Sequence, residues 1–234
     1  MAETKHKNGS IIKVVIPALN EEEAIGKVIQ HIPKDVTEII VVDNGSTDKT
    51  ADVAKSAGAR VIRVDKPGYG RACLAGIEAA GACDIFVFLD GDASDYPEDM
   101  PMLYDPIIND EMDFVLASRL SGDIEKGALT PQQHFGNALA CFLMRLFWGG
   151  TYTDLGPFRA IRTSSLRDLA MQAPTFGWTV EMQVRALKHD LRYMEVPGRY
   201  RKRIGVSKIS GTIKGVILAG YYILGTIFKE AVTR

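Results

Sequence analysis

Over the first 120 residues short apolar runs alternate with helix-patterned segments, and that alternation restricts the chain to very few folds. IIKVVIP (11–17), EIIVVD (38–43), ARVIRV (59–64), DIFVFL (84–89) and DFVLAS (113–118) have the length and the β-branched content of buried strands. Between them, EEEAIGKVIQHI (21–32) carries a helical pattern with Asn20 placed as its N-cap. TADVAKSAG follows a cap at Ser46 or Thr47 and stops at Gly58, and a third helix is expected from about Arg71 to Ala80. Strands apolar on both faces and separated by helices give a parallel sheet covered on both sides. The predicted fold is therefore α/β, a Rossmann-like, mostly parallel sheet flanked by helices.

Beyond residue 120 the pattern changes. A long helix is predicted over Gln132–Phe147, an extended segment at PFRAIR, a helix over Val180–His189, a short strand at RYMEV and a last helix from about Ile213. The 234 residues, 46% of them hydrophobic, suit one domain with an appendage, divided as 1–210 and a C-terminal helical extension at 211–234.

Ligands of such sheets bind beyond the carboxyl ends of the strands. The residues there are Asn20 and Glu21, Asp43, the stretch from Asp65 to Gly70, Asp90 to Asp92, and Ser118 with Arg119. Asp90 and Asp92, two apart in DGDASDYPED, can share a hard divalent cation that neutralises a diphosphate, with Gly91 easing the turn between them. An isolated pair of this kind is more often a solvated acidic turn. Asp43 in VVDNGSTDKT faces either a nucleoside or its own turn. KPGYGRA sets Gly68, Gly70 and Arg71 at a strand-to-helix turn suited to an anion at a helix N-terminus, but Cys73 stands where a dinucleotide fingerprint needs glycine. No phosphate-binding GxxxxGK[ST] loop occurs.

A net charge of -1 gives no reason to expect nucleic-acid binding, although Arg199, Arg201, Lys202, Arg203 and Lys208 crowd one segment. Three scattered cysteines and a polar N-terminus are read as a reduced, cytoplasmic setting. Gly215–Phe228 falls short of an uninterrupted spanning run, so it is expected either to lie at the cytoplasmic membrane face, with Lys214 and Lys229 reaching head groups, or to pack on the domain or a second copy of the chain.

In this order, IPALNEEEAIGKVI, VVDNGSTDKT, DKPGYGRACLAGI and FLDGDASDYPED resemble the family-two glycosyltransferases of the GT-A fold. ASR (117–119), Gly136–Asn137, DLGPFRAIR, GWTVEMQVRA and RIGVSK are similar to the branch of dolichyl-phosphate mannose synthases and other polyprenyl-phosphate glycosyltransferases. The resemblance implies a nucleoside site at Pro17, Asn20, Glu21 and Asp43, and Mg²⁺ or Mn²⁺ with the donor diphosphate at Asp90 and Asp92. It implies phosphate contacts from Arg119, Arg203 and Lys208, and inverting transfer from a nucleoside diphosphate sugar to a lipid-linked phosphate. DLGPFR is one residue shorter than the branch pattern, and Thr130-Pro131-Gln132-Gln133 replaces its arginines, so the sugar and the acceptor stay open.

Three rival readings remain. A hydroxyl acceptor would need a carboxylate base, for which Glu181 is the candidate, although a glutamate opening a helix is equally a dipole partner. A sugar nucleotidyltransferase would carry a glycine-rich, lysine-bearing turn where PALNE stands. A sugar-nucleotide sensor would not need an intact Asp90/Asp92 pair.

Overall fold

The apolar runs form β1 (Ile12–Ala18), β2 (Glu38–Asp43), β3 (Arg60–Arg63), β4 (Ile85–Phe88) and β5 (Phe114–Ser118), joined by β6 (Arg159–Arg162) and β7 (Tyr193–Pro197). The computed structural model describes residues 9–205 and 213–233; Lys208 lies outside the described residues. One seven-stranded sheet has the order β3-β2-β1-β4-β6-β5-β7. All neighbours are parallel except β6, which runs antiparallel between β4 and β5. The short PFRAIR run carries no signal of direction, so the reversal was not predictable from it.

Alternate residues of β1 feed two cores. Ile12, Val14 and Ile16 face one side of the sheet, with α1 (Ile25–Gln30), α2 (Thr50–Ser56) and α4 (Pro101–Ile108) over them. Val15 faces the other side, with Phe86, Phe88 and Trp178 under α3 (Tyr69–Ala80), α5 (Pro131–Trp148) and α7 (Trp178–Lys188). Burial on both faces is why these strands read as unbroken apolar runs.

Helix starts differ from expectation. The first helix begins at Ile25 with Ala24 at the cap position, and α2 begins at Thr50 after Lys49; neither cap residue bonds its helix through a side chain, and Asp48 Oδ1 accepts from the Thr50 amide at 2.9 Å instead. Asn20 and Ser46 instead tie the β1 and β2 loops together: the Asn20 amide donates to Ser46 Oγ at 2.9 Å, and Asn20 Oδ1 accepts from the Thr47 amide at 2.8 Å. The Thr130–Gln133 stretch builds a capping box that starts α5. Helix α4, with Pro106 inside it, and α6 (Thr163–Asp168) were not anticipated. The last helix, α8 (Ile213–Val232), lies along α5 and α7. Glu230 anchors its end to Arg185 and Lys188, each at 2.9 Å.

Candidate active site

The carboxyl ends of β1, β2, β4 and β5 carry Ala18, Asp43, Phe88 and Ser118, so the residues that follow them share one edge of the sheet. On that edge β1 lies between β2 and β4, where the winding reverses and a crevice opens. Asp90 and Asp92 enter this crevice directly after β4.

Asp90 accepts a hydrogen bond from the Tyr69 hydroxyl at 3.0 Å. Removal from solvent, and then the charge of Asp92, push its carboxyl up to about 7. Asp92 Oδ1 accepts from the Ser94 amide at 2.9 Å and from its hydroxyl at 2.5 Å, which leaves Oδ2 facing the crevice. Behind the pair lies Asp95, 3% exposed, whose Oδ2 is buried without a partner among the described residues; burial, then Asp90 and Asp92, hold its carboxyl far above the usual range. A crowd of carboxylates this poorly compensated suits a hard divalent cation. Among the described residues no three His, Cys, Asp or Glu are grouped to hold a metal, so such an ion would use these two side chains and complete its shell with water and phosphate oxygens.

The turn is shaped otherwise than expected. Gly91 is packed, with a Cβ there meeting Ile25 at 3.3 Å, and the left-handed residue is Ala93, at φ 61°. Ala93 is held by the basic segment. Its carbonyl accepts from Arg201 Nε at 2.7 Å, and the amides of Arg201 and Ile204 donate to the Ser94 and Asp92 carbonyls, both at 2.9 Å. The Tyr96 ring has the Arg199 guanidinium 4.2 Å and the Arg201 guanidinium 4.4 Å from its centroid. Arg199 also chelates Asp99, at 2.8 and 2.6 Å. Two of the crowded cations therefore brace the acidic loop, and Lys202 pairs with Glu125 at 3.4 Å. Arg203 reaches the site itself: Nη1 lies 3.2 Å from Asp92 Oδ2 and Nη2 2.5 Å from Glu21 Oε1.

Other predicted residues divide. Pro17 pairs with Val42 at the end of β1. Asp43 is buried, with Oδ1 accepting from the Ser46 amide at 2.8 Å and Oδ2 3.1 Å from Arg63, so it braces its own turn. Arg119 lines the cavity but is chelated by Asp154, with both side-chain bonds at 2.7 Å and a backbone bond at 2.9 Å. Burial alone would raise the Asp154 carboxyl, yet Arg119 holds it below the usual range. Gly70 and Arg71 make no anion cradle. A Cβ on Gly70 would stand 1.9 Å from the Ala173 carbonyl, the Arg71 amide already donates to Pro174, and the Arg71 side chain folds back onto the Pro67 carbonyl at 2.6 Å. Glu181 is likewise structural: 2% exposed and absent from the cavity wall, it accepts from the Gln172 and Ala173 amides at 3.0 and 2.7 Å and pairs with Arg185 at 3.0 Å. It holds the loop on which Gly70 packs. Sequence reasoning missed Tyr69, Tyr96 and Asp154 as site-builders, although they sit in the quoted KPGYGRA, DGDASDYPED and DLGPFR motifs.

From Asp90 and Asp92 a cavity of about 870 Å³ runs out between the first turns of α5 and the first half of α8. Arg119, Tyr200 and Arg203 stand at its inner end, and Phe135, Leu139, Val216, Ile223 and Leu224 line its outer part. Phe135, Phe142 and Leu146 of α5 and Ile217, Tyr221 and Phe228 of α8 are exposed. Over Gly215–Val232, α8 is long and apolar enough by composition to cross a membrane.

The family model of glycosyl transferase family 2 matches residues 13–170. The chain is 34% identical over 220 residues to an uncharacterised glycosyltransferase of Mycobacterium tuberculosis, covering 90% of this chain and 95% of that one. It is 34% identical over 206 residues to a dolichyl-phosphate hexose transferase of Haloferax volcanii, covering 85% and 86%. In structure it is similar to the glucosyl-3-phosphoglycerate synthase of Mycobacterium tuberculosis, solved with Mn²⁺, UDP and glucosyl-3-phosphoglycerate, with a TM-score of 0.77, 25% identity, and coverage of 97% of this chain and 82% of that one. With the paired aspartates at the switch point of a mostly parallel sheet, these matches establish that the chain belongs to glycosyl transferase family 2 and is a glycosyltransferase.

Proposed function

We propose that the chain transfers a sugar, with inversion, from a nucleoside diphosphate sugar to a polyprenyl phosphate. One observation carries the acceptor: the cavity that starts at Asp90 and Asp92 ends in an apolar groove between α5 and α8, and those two are its only acidic lining residues among the described ones. A hydroxyl nucleophile needs a base within hydrogen-bond reach. A phosphate, with a second pKa of about 6, is already anionic and needs cations instead. The groove suits an isoprenoid tail, and the dolichyl-phosphate hexose transferase among the relatives supports the same reading.

In this reading a phosphate oxygen of the acceptor attacks the anomeric carbon as the bond to the donor diphosphate breaks. Pro17, Asn20, Glu21 and Asp43, at the ends of β1 and β2, would hold the nucleoside. Asp90 and Asp92 would hold Mg²⁺ or Mn²⁺, which when bound neutralises the leaving diphosphate. Tyr69 fixes the Asp90 carboxylate, the basic segment keeps the acidic loop in shape, and Arg203 supplies positive charge where phosphates meet. Arg119, chelated by Asp154, shapes the inner wall and offers its remaining donor edge. The exposed apolar faces of α5 and α8 would rest on the cytoplasmic membrane surface, bringing the groove to the lipid.

The test is transfer of label from a panel of UDP- and GDP-sugars to polyprenyl phosphate, with 3-phosphoglycerate and simple sugars offered in parallel. Product on the lipid alone is expected. Product on 3-phosphoglycerate alone would replace the lipid reading with the soluble acceptor that the structural neighbour's complex suggests.

A further inference from the structure

The guanidinium of Arg203 spans the crevice between β1 and β4. It joins Glu21, just after β1, to Asp92, just after β4, at 2.5 and 3.2 Å. We propose that Arg203 competes with a divalent ion for the Asp92 oxygen that the ion needs, and that arrival of the metal–diphosphate pair releases it to the phosphates. This rests on the reading that Asp92 takes the metal and the donor diphosphate.

Three observations converge on it. Asp92 Oδ1 is already taken by both donors of Ser94, so Oδ2 is the oxygen left for a metal, and that is the atom Arg203 touches. A cation on that oxygen and a divalent ion at the same oxygen repel, so only one can reside there. Second, Arg203 is held incompletely. Its Nε is buried with no partner among the described residues, whereas Arg119 is chelated through Nε and Nη2 by one carboxylate. A buried donor without an acceptor favours exchange onto a richer acceptor, and a diphosphate supplies several oxygens. Third, the bridge closes the crevice at the switch point, where a nucleotide must enter. Opening it for the donor frees a positive charge beside the diphosphate. The acceptor phosphate would then find its cation only after the donor is seated, so the device imposes an order of binding.

The experiment uses the full chain and reads bound Mn²⁺ from the electron paramagnetic resonance signal of the free ion, with no nucleotide and then with saturating UDP or GDP. Without nucleotide, Arg203→Met should bind Mn²⁺ about tenfold more tightly than the wild type, a change of about 1.4 kcal/mol. Arg203→Lys keeps the charge but cannot bridge both carboxylates, so its gain should fall between the two. With nucleotide the order should invert, Arg203→Met holding the Mn²⁺–nucleotide pair more weakly than the wild type. Mn²⁺ affinity in Arg203→Met no tighter than in the wild type would overturn the proposal; should that variant not fold, the same result in Arg203→Lys would do so. Failure of the wild type to take up Mn²⁺ even with bound nucleotide is a different failure: it removes the metal reading itself, and the Arg203 inference with it.

Discussion

The Tyr69 hydroxyl donates to Asp90 Oδ1 at 3.0 Å, tying the first turn of α3 to the end of β4. The Tyr69 ring meanwhile packs edge-on against Trp178, with centroids 6.2 Å apart, so the tyrosine is fixed from both sides. Tyr69→Phe keeps the ring contact and removes only the bond. Stability should fall by about 1 kcal/mol. Calorimetry should show Mn²⁺–nucleotide binding weakened several-fold, because Asp90 is no longer oriented. Unchanged affinity would mean that the bond is incidental.

Asp92→Asn removes the charge that faces the crevice and retains the Ser94 contacts in part. Turnover should be lost while the circular dichroism spectrum and the melting profile stay close to wild type. Excess EDTA should also silence the native enzyme. Full activity in EDTA would refute a metal-dependent diphosphate site.

Glu181 and Arg203 separate the two acceptor chemistries. Glu181→Gln should cost about 1–3 kcal/mol, since buried donors of the 172–173 loop and Arg185 lose a charged acceptor. Its turnover at saturating donor should remain within about tenfold of wild type, because it only supports the wall. Arg203→Ala should lower turnover by about two to three orders of magnitude, as expected when transition-state charge loses its partner. A folded but dead Glu181 variant beside a nearly normal Arg203 variant would point to a hydroxyl acceptor.

Asp90 also sets a pH dependence. Burial, then the charge of Asp92, raise its carboxyl to about 7 against 3.8 for a free side chain. The folded state therefore holds a proton that the unfolded chain has already lost, and this group's contribution to stability declines as pH rises from about 4 to about 7. A cation competes with that proton, so the gain in melting temperature from Mn²⁺ plus UDP or GDP should grow between pH 6 and 8. A gain that is flat across this window, or that grows equally in Asp90→Asn, would contradict the assignment.

The apolar faces of α5 and α8 make a further prediction. Phe142 is 60% and Tyr221 70% exposed. The protein should float with vesicles containing anionic lipid, and Phe142→Asp with Tyr221→Asp should return it to the soluble fraction without changing its melting temperature. Wild-type protein that stays soluble would argue for an acceptor drawn from solution.

The donor half of the site was legible because its residues follow strands whose apolar runs are themselves unmistakable. All five early strands, β1 to β5, fell within one residue of expectation at each end, and Asp90 and Asp92 came with them. Helix α4 was not legible, since Pro101 and Pro106 read as breakers although the first opens the helix and the second is accommodated within it. The crowding of cations over residues 199–203 gave no hint of its purpose: Arg199 and Arg201 are engaged with Tyr96, Asp99 and Ala93, about a hundred positions earlier in the chain. Local pattern carries no record of such distant pairing. The Thr130–Gln133 capping box, in contrast, was written plainly in the T-x-x-Q spacing and went unread.

The union of residues 200–204 with the acidic loop has a consequence for how the enzyme comes into being. The aspartates are made early, but the strand-like segment that gives their loop its shape leaves the ribosome more than a hundred residues later. The nascent chain can therefore assemble its sheet through β6 while its donor site is still slack, and catalytic competence arrives as a late event of synthesis. An early truncation product would own every residue of the acidic motif and still lack the brace that makes it work.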